Sequence, residues 1–261
     1  MSHSFELENQ IVVVTGSSSG VGRAMALEFA SAGAHVLIHG KSNQAGAEEV
    51  AACIRRMGRE SLVLMADLAI EAEQDWFAKE AFDWKQRVDI WVNNAGADVL
   101  TGDASEWSFE QKLEHLWRVD VVSTIRLSRA IGKRMIESGA KAGNAVILNI
   151  GWDQVEQGMA SDSGEMFTAI KGSIMAFTKS LSRSLAPHVR VNCLAPGWIK
   201  TAWGETASEY WQERAKRESL LQRWGMPEDV ARAARYLASP AASFITGQTM
   251  VINGGFRHHE A

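Results

Sequence analysis

The chain has 261 residues, of which 46% are hydrophobic and 22% charged, and a formal net charge of -4. That is enough to bury the core of one α/β domain near the upper end of single-domain size, so one domain spanning 1–261 is expected. So mild a charge, with no run of one sign, supplies no long-range attraction for nucleic acid or an anionic membrane and argues against both as partners.

Residues 1–10 lack an apolar leader core, and no stretch nears the roughly 18 apolar residues of a membrane span; a cytoplasmic protein is expected. Short apolar runs then alternate with amphipathic stretches. The first run, 11–14, leads into Thr15-Gly16-Ser17-Ser18-Ser19-Gly20-Val21-Gly22 and a helical pattern over 23–32. A glycine turn between strand and helix lets backbone N–H groups and the positive helix end approach a pyrophosphate, which points to a dinucleotide; a tight turn without a ligand is the bland alternative. The second run, 35–39, ends in His39-Gly40-Lys41-Ser42-Asn43 with no acid before Glu48. A carboxylate there would accept ribose hydroxyls and repel a 2'-phosphate, whereas Lys41 attracts one and Ser42 or Asn43 can donate to it. NADP(H) is therefore favoured over NAD(H), against the ordinary reading of Lys41 as a solvated turn residue.

Further runs follow at 62–65, 90–92, 145–150, 189–194 and 249–252. Seven brief Val-, Ile- and Leu-rich strands separated by helix-length segments predict an α/β, Rossmann-like, doubly wound parallel sheet. A closed barrel would need an eighth strand, and no run supplies one. Over 164–186, Ile170, Ile174, Phe177, Leu181 and Leu185 recur at helical spacing and are expected to pack on the sheet. Ala169, Gly172, Ser173, Ala176 and Ser180 form a second, small-residue face that suits either a symmetry mate or a helix of the same subunit. Cys53 and Cys193 lack CxxC spacing and read as buried reduced thiols, with no metal site expected.

Several landmarks occur in order: the Gly-x-x-x-Gly-x-Gly loop behind Thr15, Asn93-Asn94-Ala95-Gly96 after the fourth run, and Pro196-Gly197 with Thr201 after the sixth. Gly225-Met226-Pro227-Glu228-Asp229-Val230 precedes a late helical pattern, and Gly247-Gln248 and Gly254-Gly255 flank the last run. Together, over about residues 7–255, they resemble the short-chain dehydrogenase/reductase family, most of all the branch with 3-oxoacyl-acyl-carrier-protein reductases. The resemblance implies an oxidoreductase that reduces a ketone such as a 3-oxoacyl thioester, and the small-residue face leads one to expect a homo-oligomer, dimer or tetramer. It carries cofactor roles onto Gly16, Gly20 and Gly22 at the phosphates, Asp67 near the adenine, Asn94 and Ala95 along the ribose, and Thr201 beside the nicotinamide. Ser18, Val21, Leu68, Gly96, Pro196 and Gly197 join them as expected cofactor contacts, with Lys171 on the ribose.

In that family a Tyr protonates the carbonyl oxygen, a Ser hydrogen-bonds it, a Lys four residues after the Tyr assists, and an Asn holds a water chain. Here Phe167 stands at the Tyr position, Trp152 at the Ser position and Asp120 at the Asn position, while Lys171 is retained. A phenyl ring has no proton to give. Ser161 or Ser163 could fold back to the Ser position; Tyr210 and Tyr236 lie far from this helix start. Two readings follow: a dinucleotide-binding sensor or scaffold in which Lys171 pairs with Asp120, or an enzyme in which Asp153, Asp162 or Glu165 supplies the proton beside the Trp152 indole. Residues 152–165 suit a lid or a partner-binding segment. Arg183, His188 and Arg190 are the basic residues that could meet an acidic carrier protein.

Overall fold

The computed structural model describes residues 6–257. Its seven strands are β1 (Ile11–Val14), β2 (His35–Gly40), β3 (Ser61–Met65), β4 (Ile90–Asn93), β5 (Ala145–Ile150), β6 (Val189–Pro196) and β7 (Thr249–Ile252). They form one parallel sheet in the order β3-β2-β1-β4-β5-β6-β7. β1 is interior to the sheet: Val14 pairs with Ile38 on one side and Val92 on the other. The chain winds outward in one direction and then in the other, so a crevice opens at the carboxyl ends of β1 and β4.

Alternate residues of each strand feed opposite cores, as the period-2 pleat requires. Val12, Val14, Ile90, Val92, Val146 and Leu148 pack with α1 (Gly20–Ser31), α2 (Gln44–Arg56) and α9 (Pro227–Ala238). Val13, Trp91, Ile147 and Val191 pack on the other face with α3 (Glu71–Lys85), α5 (Ser123–Glu137) and the C-terminal half of α6 (Asp162–Leu185). The α6 stripe divides: Leu181 and Leu185 reach the sheet, whereas Ile170 and Ile174 join a third cluster with Val99, Leu116, Val121 and Met166. The expectation that the whole stripe covers the sheet is corrected on this point, because α6 overhangs the strand ends where the site lies.

α4 (Phe109–Leu116) opens with a capping box in which Ser108 Oγ accepts the Gln111 N–H and Gln111 Oε1 accepts the Ser108 N–H. It runs through a π-helical stretch, Trp117–Val122, directly into α5. Such widened turns cost backbone regularity and concentrate at functional positions; this one carries Asp120. Cys193 is buried, its thiol pushed up to about 12 by burial, while Cys53 is only half-buried, so the two thiols do not share the buried environment expected of them. Among the described residues no helix is long and apolar enough to cross a membrane.

Candidate active site

The glycine loop lies at the mouth of the crevice. Gly16 (φ +63°) and Gly20 (φ +55°) adopt left-handed backbone, and a Cβ on Gly22 would stand 2.2 Å from the Gly16 carbonyl oxygen. Ser19 at the α1 N-cap makes no side-chain capping bond, so the first N–H groups of α1 remain directed at the groove. Thr15 braces the opposite wall: its hydroxyl donates to the Val92 carbonyl and accepts the N–H groups of Asn94 and Ala95, both at 2.9 Å. The Asn94 amide donates to the carbonyls of Thr15 and Gly16, so it stiffens the loop as well as lining the groove.

The resulting groove has a volume of about 610 Å³. Of the expected cofactor residues, Gly16, Ser18, Val21, Gly22, Lys41, Ser42, Asp67, Leu68, Asn94, Ala95, Gly96 and Thr201 line it. Gly20 does not line it; an added Cβ there would meet Thr201 Cγ2, on the groove wall, at 3.9 Å. Pro196 and Gly197 do not line it; Gly197 packs against Asn253 and Asp153. Lys171 does not line it either, and belongs to the neighbouring cavity. The size, the left-handed glycines and the uncapped helix end fit a dinucleotide.

His39, which nothing in the sequence singled out, ties the groove together. Its Nδ1 accepts the Gly16 N–H at 3.0 Å and its Nε2 lies 3.1 Å from the Ala66 carbonyl, an arrangement that requires the neutral ring. Burial lowers its pKa to about 4. Lys41 Nζ meets Asp67 Oδ2 at 2.9 Å, and Asn43 uses its carbonyl to cap α2. Partial burial pushes the Asp67 carboxyl up, but the Lys41 bond and charge and the Ala69 N–H bring it below its ordinary value.

Beside the groove is an apolar cavity of about 240 Å³ lined by Leu100, Gly151, Trp152, Met159, Ser163, Phe167, Lys171, Trp198, Trp203 and Trp211. Lys171 Nζ lies 2.8 Å from Asp120 Oδ2, and Asp120, 2% exposed, also accepts the Ala97 N–H at 2.8 Å through Oδ1. Gly96 allows this approach, since a Cβ there would stand 3.0 Å from Asp120 Oδ2. Gly96 and Ala97 line the groove, so the ion pair stands between groove and cavity. Phe167 and Trp152 meet edge to face, ring centroids 6.2 Å apart, on the cavity wall. Ser163 also lines the cavity and hydrogen-bonds Ser161, which caps α6.

The three acids considered as substitute donors are not brought to this cavity. Asp162 and Glu165 are exposed at the start of α6. Asp153 accepts the Asn253 amide at 3.0 Å and faces Gly197; burial raises its pKa to about 6, yet it does not line the cavity. Tyr210 is exposed and Tyr236 lies on α9. The basic trio is displaced too. Arg190, second residue of β6, donates to the carbonyls of Gly143 and Leu237, among others, at the amino end of the sheet, opposite the site.

A family model described as enoyl-(acyl carrier protein) reductase matches residues 16–257. The 3-oxoacyl-[acyl-carrier-protein] reductase of Synechocystis sp. is 34% identical over 256 residues, covering 95% of this chain and 97% of that protein. The chain belongs to the short-chain dehydrogenase/reductase family. Among solved members, a short-chain dehydrogenase from Burkholderia cenocepacia in complex with NADP superposes with TM-score 0.86 at 25% identity, covering 96% of this chain and 98% of that one. A 7α-hydroxysteroid dehydrogenase complexed with NADH and 7-oxo glycochenodeoxycholic acid also superposes with TM-score 0.86, at 27% identity, covering 98% and 97%. The similar solved structures thus include one with each nicotinamide cofactor.

Proposed function

We propose that this protein binds NADP(H) in the groove and exchanges a hydride with a ketone, or its alcohol, held in the adjoining cavity, at a rate lowered by the missing tyrosine. The observation that carries this reading is Lys171: among the described residues lining the cavity it is the one charged group, and Asp120 fixes it between cavity and groove. Gly16, Ser18, Val21 and Gly22 would hold the phosphates, Asp67 and Leu68 the adenine, and Asn94 to Gly96 the ribose. When bound, the reduced nicotinamide supplies the hydride. Lys171 Nζ and Ser163 Oγ are placed to hydrogen-bond the carbonyl oxygen as charge develops on it, and Nζ gives that oxygen its proton and recovers one from solvent. The Asp120 charge partly cancels the ammonium field, which weakens this stabilisation. Preference for NADP(H) rests on Lys41 and Ser42 in the groove wall and on the lack of an acid directly after β2. The small-residue face of α6, exposed at Ala169, Ala176 and Ser180, supports a homo-oligomer, and the composition supports a single cytoplasmic domain.

A second reading has its own support. The Trp152 and Phe167 rings occupy the wall where hydroxyl donors would stand, as a dinucleotide-binding sensor or scaffold without turnover would tolerate. Titration with NADPH and NADH, followed by absorbance assay on small ketones and a 3-oxoacyl thioester, separates the two. We expect tighter binding of NADPH, weakened selectively by Lys41→Ala, together with slow native turnover that Phe167→Tyr raises by about 10²- to 10⁴-fold. No native turnover, with activity only after Phe167→Tyr, Trp152→Ser and Asp120→Asn are combined, selects the sensor reading; absence of dinucleotide binding overturns both.

A further inference from the structure

The cavity has walls of rings contributed by separate parts of the chain. Trp152 follows β5, Phe167 lies on α6, Trp198 follows β6, and Trp203 and Trp211 come from α7 (Ala202–Thr206) and α8 (Glu209–Glu218). Trp198 and Trp203 stack, with centroids 6.2 Å apart and planes within 22°, and Trp211 closes on both at 5.4 and 5.9 Å. We propose that this cavity is a stacking site for a planar, ring-bearing ketone or alcohol, one or two fused aromatic rings in size, rather than for a flexible acyl thioester. The inference rests on the reading of the neighbouring groove and Lys171 as a hydride-transfer site.

Three observations carry it. First, all five rings are half-buried and line the cavity, and the buried Trp224 backs Trp198 and Trp203 from behind at 6.1 and 6.3 Å, so each keeps a face toward the cavity. Second, the platform is held rigid. The Trp198 indole N–H donates to Glu218 Oε2 at 2.8 Å, Arg214 Nε binds Glu218 Oε1 at 2.7 Å, and the Arg214 guanidinium lies over the Trp198 and Trp211 rings. A preorganised aromatic surface favours a ligand that matches its offset and edge-on geometry and has few internal rotors to freeze. Third, the volume of about 240 Å³ lies below the roughly 300–1,000 Å³ of sites for drug-sized molecules, and the basic residues considered for carrier-protein docking lie at the opposite end of the sheet.

Isothermal titration of the protein loaded with NADP+, which cannot reduce a ketone, with 1-tetralone, 1-decalone and 3-oxooctanoyl-N-acetylcysteamine tests this. The first two share a carbon skeleton and differ in aromaticity, so the pair separates stacking from plain apolar burial. We expect 1-tetralone to bind at least fivefold more tightly than either competitor. Trp203→Ala with Trp211→Ala should weaken it tenfold or more, and Trp203→Phe, which keeps a ring, should stay within threefold of native; thermal melts confirm that each variant is folded. Equal or tighter binding of 1-decalone or the thioester, or indifference to loss of both tryptophans, overturns the inference. NADPH affinity is measured first. If it fails, the hydride-transfer reading falls by itself, and the same titrations on the free protein still decide whether the rings select a planar ligand.

Discussion

The phenyl ring of Phe167 brings no O–H to the cavity, and Lys171 on the same wall faces Asp120. Asp120 is buried, so removing its partner strands a charge: Lys171→Met should destabilise the protein by about 3 kcal/mol in urea unfolding, and adding Asp120→Asn, whose Oδ1 can still accept the Ala97 N–H, should recover most of the loss. Equal destabilisation in the single and double variants would show that the pair is not what holds this corner. Two other residues oppose each other in pH dependence. His39 has a folded pKa near 4, below its unfolded value, so its contribution, roughly 3 kcal/mol, is complete above about pH 6.5 and disappears as pH falls toward 4. Asp153 is raised to about 6, so the folded state keeps its proton longer than the unfolded chain, and stability from this group falls as pH rises from about 4 to 6. The native protein should therefore change little from these two groups between pH 4 and 6, whereas Asp153→Asn should show stability rising steadily with pH up to about 6.5, read from urea midpoints. His39 was invisible in the sequence because a histidine ending a strand has no local mark of the two backbone partners that hold it. Asp153 illustrates the converse, an acid adjacent to Trp152 in sequence whose carboxyl points toward Asn253.

Among the elements, the strands were legible nearly to the residue because each is a short apolar run, doubly covered in the interior of the sheet and half-buried at its edges β3 and β7. β6 extends two residues past its expected end, through Pro196, which needs no N–H at the last register position opposite Ile252. The π-helical stretch carrying Asp120 was not legible, since one widened turn leaves the helical hydrophobic pattern almost unchanged. Behind the site, β4, β5, α5 and α6 are tied by a buried polar chain: Trp91 Nε1–H to Asn93 Oδ1, Asn93 Nδ2 to Ser128 Oγ and Asn149 Oδ1, and Asn149 Nδ2 to Thr178 Oγ1. Thr178→Val keeps the shape but leaves the Asn149 amide short of an acceptor, and should cost about 1–3 kcal/mol by thermal or urea unfolding with NADPH affinity unchanged. A change below 0.5 kcal/mol would mean that water or a rotamer change replaces the bond.

For the molecule as a whole, the small-residue face of α6 is exposed at Ala169, Ala176 and Ser180 and half-buried at Gly172 and Ser173. The homo-oligomer proposed above predicts a multiple of 28.6 kDa in light scattering at micromolar concentration, shifted toward the monomer by Ala176→Arg; a monomeric mass for the native chain would refute it. The seven strands in succession, the doubly wound class and the glycine loop could be read from the chain, because periodicity and turn chemistry are local properties, whereas the expectation about Phe167, Trp152 and Asp120 came from the family resemblance. Tertiary structure alone decided which groups meet. It set Lys171 against Asp120 across 51 positions, turned Asp153 and Arg190 away from the cavity, and gathered Trp198, Trp203 and Trp211 into one wall with Trp152 and Phe167. Contacts between distant residues follow from how helices overhang the strand ends, and no local spacing encodes that arrangement.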